Sequence, residues 1–228
     1  MLYAIRRKKA YVICTIIAHT EKRDHMAISV VMFFKKPDDR DVRTIYDAVI
    51  DEMGVRDNPA KGGIYHWCAP VDDGLRVCDV WETHEDFEGF AQEKIGPLTA
   101  KQGLQAPEVS VTPVHEMVVG RGTDHKGVGV FVEAEGDTEE LFSKVDRANE
   151  RMNVVADPPE GLIFHWTTAT PTGICAIDHW RSREDFERFV DAKLAPALVE
   201  SGMPQPRITY FDVYNTIDRR VAAKPQPA

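Results

Sequence analysis

The pair His66-Trp67 returns 99 positions later as His165-Trp166, and each is followed thirteen residues after its histidine by an aspartate, Asp79 and Asp178. Histidine changes charge near neutral pH, so a ring held in a pocket suits a general base, and a carboxylate behind it would orient the ring and raise its basicity. Whether the two meet depends on the turn between them. Thr170-Pro171-Thr172-Gly173 reads as a type I turn with a G1 bulge. In the first copy that register sets residue 67 opposite 79 and residue 66 opposite 80, which points His66 and Asp79 to opposite faces of the sheet. A two-residue turn at Asp72-Asp73 would bring them together. On the longer turn, the aspartates serve strand edges or helix caps. His66 and His165 are then either bases in a pocket or rings hydrogen-bonded within a wall.

The candidate catalytic residues are thus His66 and His165. The candidate substrate-binding residues are Tyr65, Trp67, Asp79, Trp166, Asp178 and His179. Tyr65 and His179 each occur in one copy alone, as a pocket that had lost its symmetry would require. Trp67, Trp166, Trp81 and Trp180 suit core packing or a stacking platform for an aromatic ligand. The sequence has no phosphate-binding glycine loop, no nucleophile elbow and no metal-ligand spacing, so neither a metal nor a cofactor is expected.

The elements that must position these residues also come in two copies. A shift of 99 aligns residues 26 to 119 with the second half without a gap, matching Met53 with Met152, Gly62 with Gly161, Asp79-x-Trp81 with Asp178-x-Trp180 and Pro97 with Pro196. A repeat of that length is a supersecondary unit used twice. Ala27 to Phe34 and Gly127 to Val132 read as buried strands. Val42, Tyr46, Val49 and Met53, with Leu141, Val145, Ala148 and Met152, share one helical face. Asp137 and Glu140 signal an N-cap. Gly63 to Ala69 and Leu75 to Trp81 form a hairpin. Thr83-x-x-Asp86 and Ser182-x-x-Asp185 open a second helix that Pro97 and Pro196 should kink. Glu108 to Val118 and Arg207 to Tyr214 close each copy as a last strand. The order β-α-β-β-α-β, twice, predicts an α+β chain of two ferredoxin-like repeats, residues 26–121 and 122–218. Each open sheet face needs apolar cover, so the two sheets should face one another as an intramolecular dimeric α/β barrel with an interior lined by both copies.

With 43% hydrophobic and 29% charged residues, the composition is that of a globular protein. The net charge of −9, made up of +4 in residues 1–25 and −13 in the remainder, excludes a general nucleic-acid binder. Residues 1–25 resemble the start of a secretory signal but lack a convincing cleavage site, and the apolar run is too short to span a bilayer. They are read as a disordered extension or a start assigned too early, with a signal or an extra ordered element as alternatives. Residues 219–228 are read as a disordered tail. Four cysteines without a CxxC spacing fit a reducing cytoplasm. A small-molecule ligand is the expected partner, with no nucleic acid, no membrane and room for a further homo-oligomer.

Asp79-Val80-Trp81-Glu82-Thr83-His84-Glu85-Asp86-Phe87 and its echo Asp178 to Phe186, with Pro97 and Pro196 after them, resemble the dimeric α/β-barrel superfamily that includes the antibiotic-biosynthesis monooxygenases. Its members usually dimerise single units, so this chain looks like a fused dimer. The resemblance implies small-molecule binding, with cofactor-independent monooxygenation of an aromatic or polyketide-like substrate as one activity. A non-catalytic binding or structural module and a lyase or isomerase are the alternatives. Phe90 and Phe189 stand where the haem-degrading members carry a tryptophan, which departs from the haem pattern.

Overall fold

The computed structural model describes residues 26–37, 40–122 and 126–219. The expectations for residues 1–25 and 220–228 lie outside them. Arg219, placed in the tail by the sequence reading, is ion-paired to Glu82.

Each repeat follows the expected order. In the first, β1 (Ile28–Lys35), α1 (Val42–Met53), β2 (Gly63–Val71), β3 (Gly74–Trp81), α2 (His84–Phe90), α3 (Gly96–Lys101) and β4 (Glu108–Val119) succeed one another. In the second they are β5 (Val128–Glu135), α4 (Thr138–Met152), β6 (Leu162–Thr170), β7 (Gly173–Trp180), α5 (Arg183–Phe189), α6 (Ala195–Glu200), β8 (Arg207–Asp212) and β9 (Asn215–Asp218). The chain has a repeated ferredoxin-like topology with a curled antiparallel sheet, ordered β8-β5-β7-β6-β4-β1-β3-β2-β9 among the described residues.

Local chemistry sets the boundaries. Asp137 caps α4 by accepting from the Glu140 N–H, and Thr83 and Ser182 accept from Asp86 and Asp185 N–H at the starts of α2 and α5. Gly54 ends α1 in the left-handed region at φ 70°, and Asn153 does the same for α4 at φ 55°. Pro97 and Pro196 break no helix. Each falls in the first turn of α3 or α6, where its missing N–H is not needed, and the strain is taken up by π-helical turns at Ala91–Ile95 and Val190–Leu194.

Two expectations are corrected. The ungapped shift of 99 fails in the first strand: Ile28 faces Trp81 while Val128 faces Trp180, so β5 is displaced by one further residue. Only that displacement keeps the apolar residues inward, since Val128, Val130 and Ala134 are buried like Ile28, Val30 and Phe34. The three-residue turn is the second. Val71 pairs with Gly74 and Thr170 with Gly173, so both hairpins turn on two residues, and a bulge falls instead at the far end of each hairpin, between Gly63 and Tyr65 and between Leu162 and Phe164.

The last strand of each repeat crosses into the other. β4 pairs with β1 through Phe33↔Glu108 to Ile28↔Pro113 and then with β6 from Val114 onward. β8 pairs with β5, and after Val213 and Tyr214 the same run continues as β9 against β2. Backbone bonds from Val213 N–H to Gly127 and from Tyr214 N–H to Cys68 carry it across. The space between the repeats is filled with side chains from both. Tyr65 stacks on Phe164 at 4.3 Å, and Trp67, Trp166, Val80 and Ile177 are buried around them.

Candidate functional site

The two-residue turns place His66 opposite Asp79 and His165 opposite Asp178, on the same face in each hairpin. His66 Nδ1 lies 2.7 Å from Asp79 Oδ1, and His165 Nδ1 lies 2.5 Å from Asp178 Oδ1. The pairing set aside by the longer turn is therefore present in both repeats. Strand alternation sends Tyr65 and Trp67 into the centre between the repeats and turns His66 and Cys68 toward the helices.

In the first repeat the hydrogen bonding continues. The apolar face of α1 carries Tyr46, whose hydroxyl is 2.8 Å from His66 Nε2. Asn215, on the strand arriving from the second repeat, donates its Nδ2–H to the same hydroxyl at 2.8 Å. Burial alone would lower the His66 pKa, but the charge and hydrogen bond of Asp79, helped by Cys68, outweigh it and raise the pKa to about 10. At neutral pH the ring is thus a cation with both N–H groups donating, Nδ1–H to Asp79 and Nε2–H to Tyr46. Tyr46 oxygen then accepts twice, which uses its lone pairs and leaves its own O–H for the weak acceptor Cys68 or for a ligand. Burial raises the Tyr46 pKa and keeps the phenol neutral.

Asp79, His66 and Tyr46 lie in the wall of a cavity of about 110 Å³ between the first repeat's sheet and its own helices, whose lining is otherwise largely apolar, with Met32, Val49, Leu75 and Phe90, and also includes Thr99 and Arg219. A second cavity of about 80 Å³ occupies the equivalent place in the second repeat. The cavities therefore lie under the helices, while the interior shared by the repeats is closed by aromatic packing.

The two sites differ at three equivalent positions. Val145, Glu116 and Thr167 stand where the first repeat has Tyr46, Asn215 and Cys68. His165 Nε2 meets Thr167 Oγ1 at 3.2 Å and Glu116 Oε1 at 3.8 Å. Burial opposes the His165 charge, but Asp178 and Glu116 raise its pKa to about 10. The tryptophans behind the aspartates differ as well. Trp180 Nε1 donates to Asp178 Oδ2 at 3.1 Å, whereas Trp81 Nε1 is buried without a hydrogen-bond partner.

Of the sequence candidates, His66 and Asp79 line the first cavity, and His165 and Asp178 the second. Tyr65 contributes to the first wall, but its hydroxyl is 2.6 Å from His179 Nδ1, and His179 Nε2 lies 3.0 Å from the Lys126 carbonyl oxygen, fully buried. Trp67, Trp166 and His179 lie outside both cavities, because their strand positions face the packed centre or its edge. Trp166 Nε1 donates to Ser29 Oγ at 2.9 Å. Tyr46, Asn215, Glu116 and Thr167 were not singled out by the sequence. Tyr46 reads as one more residue of an apolar helix face, and because the second repeat has valine there, the repeat gives it no emphasis. No group of three histidine, cysteine, aspartate or glutamate side chains among the described residues is arranged to hold a metal ion.

No protein-family model matches the sequence, and no curated protein resembles it in sequence. Solved structures do resemble it in fold. A candidate monooxygenase from Lactobacillus acidophilus NCFM superposes with a TM-score of 0.65 at 11% identity, covering 85% of this chain and 97% of that one. A candidate monooxygenase from Fusobacterium nucleatum subsp. nucleatum gives 0.64 at 10% identity, covering 86% and 95%. A mutant chlorite dismutase from Candidatus Nitrospira defluvii gives 0.54 at 9% identity, covering 84% and 92%. The likeness is one of fold. It spans both repeats and is a likeness of ferredoxin-like folds with a curled antiparallel sheet.

Proposed function

We propose that this chain is an intramolecular counterpart of a dimeric α/β barrel, with units 26–121 and 122–218, and that it binds one compact, weakly acidic small molecule in the cavity of its first repeat. The observation that carries this reading is the hydrogen-bonded series Asp79, His66 and Tyr46 at the wall of a largely apolar cavity, with Asn215 bonded to the same Tyr46 hydroxyl. Apolar cavities of about 150 Å³ take up benzene, so about 110 Å³ suits about one ring. The series is neutral overall when His66 is protonated, and its outermost group is a hydroxyl donor. Such a corner accepts an oxygen and favours the ionised form of a phenol or enol.

His66 in this reading is the cation behind the donor. The sequence suggested a base, but a ring whose pKa is raised to about 10 already holds its proton at neutral pH. The acidic substrate loses its proton to solvent and binds as the anion. An anion of this kind reacts with dioxygen without a cofactor: a carbon–oxygen bond forms at the electron-rich carbon, and loss of one water converts a methylene into a carbonyl. One dioxygen is consumed, and no external reductant is needed. Monooxygenation of a single-ring phenol or enol is therefore the proposed reaction, in a cytoplasmic protein that needs no metal or nucleic-acid partner.

Resorcinol is the first probe, followed by native mass spectrometry for binding and by an oxygen electrode for turnover. One molecule should bind per chain with measurable oxygen uptake. Tyr46→Phe and His66→Gln should each lower turnover by about 10²-fold or more, while His165→Gln leaves it within about twofold. Binding without oxygen uptake by any small phenol or enol would reduce the protein to a ligand carrier. Unchanged binding in a folded Tyr46→Phe/His66→Gln double variant would remove the site altogether.

A further inference from the structure

The second cavity has a polar wall of its own, built at different positions. Asn149 stands on the inward face of α4 with Val145 and Met152, and all three line the cavity. The first repeat has Ile50 at the equivalent place, so each helix gives its cavity a single polar side chain, Tyr46 from α1 and Asn149 from α4, one turn apart. Asn149 donates its Nδ2–H to Glu116, which β4 brings across from the first repeat, as β9 brings Asn215 to Tyr46. A carboxylate only accepts, so that bond fixes the amide and leaves Oδ1 as its free end. Oδ1 has no hydrogen bond among the described residues and keeps accessible surface. The charges differ as well. His66 meets one carboxylate, Asp79, whereas His165 meets two, Asp178 at 2.5 Å and Glu116 at 3.8 Å. The first site is balanced in charge and offers a hydroxyl donor. The second has one carboxylate in excess and offers an acceptor.

We infer that the second cavity is a binding site in its own right, for a short aliphatic ammonium compound that donates an N–H to Asn149 Oδ1. It stands apart from the reading of the first cavity, and neither needs the other. An ammonium group has donors and no acceptor. It therefore suits a lone carbonyl oxygen, and its charge offsets the excess carboxylate of Glu116 in surroundings that screen charge weakly. An alcohol can donate to the same oxygen but leaves the excess charge in place. A carboxylate or phenolate meets an acceptor and a like charge together and is rejected on both counts. The hydrocarbon part of the ligand falls to the apolar wall, with Ala148, Leu194, Leu198 and Met203. Where about 110 Å³ suits about one ring, about 80 Å³ suits about four or five heavy atoms. A four-carbon primary amine meets that limit. A diamine of similar size would leave its second charge among apolar groups.

The test uses the full chain labelled with ¹³C in its methionine methyls and titrated at neutral pH with isobutylamine, isobutanol and isobutyrate, three probes of one shape and different charge. Met152 and Met203 report on the second cavity, and Met32 and Met53 on the first. The amine should move the Met152 and Met203 methyls saturably while Met32 and Met53 stay in place. It should bind about tenfold tighter than isobutanol, and isobutyrate should give no response at Met152 or Met203. Glu116→Gln should bring the amine down to the level of the alcohol, and Asn149→Leu should weaken both. Equal binding of amine and alcohol to the unsubstituted chain, or binding of isobutyrate at Met152 and Met203, would overturn the ligand class. Silence at Met152 and Met203 with all three probes, or equal response at Met32 and Met53, would overturn the site. If neither variant folds, the order of the three probes on the unsubstituted chain decides alone.

Discussion

The clearest consequence at the scale of single residues is the charge on the two histidines. His66 and His165 have pKa values raised from 6.5 to about 10. Between those values the folded chain holds protons that the unfolded chain releases. The stability contributed by each His-Asp pair is therefore complete below 6.5 and is lost as the pH rises through 10. Urea unfolding from about pH 6 to about pH 9.5 should show stability falling with pH, by up to about 1.4 kcal/mol per pH unit for each histidine. His66→Gln and His165→Gln should flatten the curve, each by its own share. A stability that is flat or rising over that range in the unsubstituted chain would mean that neither ring is held as a cation. The two histidines were legible because they recur at one spacing beside a tryptophan. Tyr46 and Asn215 were not, because the second repeat has valine and glutamate at the equivalent places, and a search guided by repetition passes over what has diverged.

At the scale of elements, helix caps, strand order and the hairpins were readable from local chemistry, since Thr83, Ser182 and Asp137 announce their helices regardless of distant contacts. The register within the hairpin was not. It turns on a single residue of loop length, and the same Pro-Thr-Gly letters fit a tight turn or a bulged one. The structure keeps the turn tight and moves the bulge to the other end of the strand, at Gly63/Tyr65 and Leu162/Phe164. One residue of loop therefore decides whether a dyad exists. Inserting a glycine between Asp72 and Asp73 should turn His66 away from Asp79 and return its pKa toward 6.5, while His165 stays near 10. Imidazole chemical shifts followed against pH measure both rings in one sample. A His66 pKa unmoved by the insertion would show that burial of the flanking residues, and not the loop, fixes the register.

On the scale of the whole molecule, neither repeat is complete alone. Residues 26–121 by themselves lack β9 beside β2 and lose the Trp166, Phe164 and Ile177 side chains that cover Tyr65 and Trp67. Expressed alone, that half should self-associate or aggregate, as light scattering after size exclusion would reveal; a stable monomer would contradict the shared core. The crossing of the final strand has a further consequence, in time. Asn215 reaches Tyr46 across 169 positions of sequence, and Arg56 reaches Asn215 across 159. The polar contacts of the second cavity, by contrast, span 13 for His165 with Asp178 and 33 for Asn149 with Glu116. As the chain leaves the ribosome, the second site holds all its polar partners while the first still waits for the strand that brings Asn215. The Tyr46 corner of the first cavity is thus among the last parts of the molecule to be completed, and it is complete only in chains synthesised through β9.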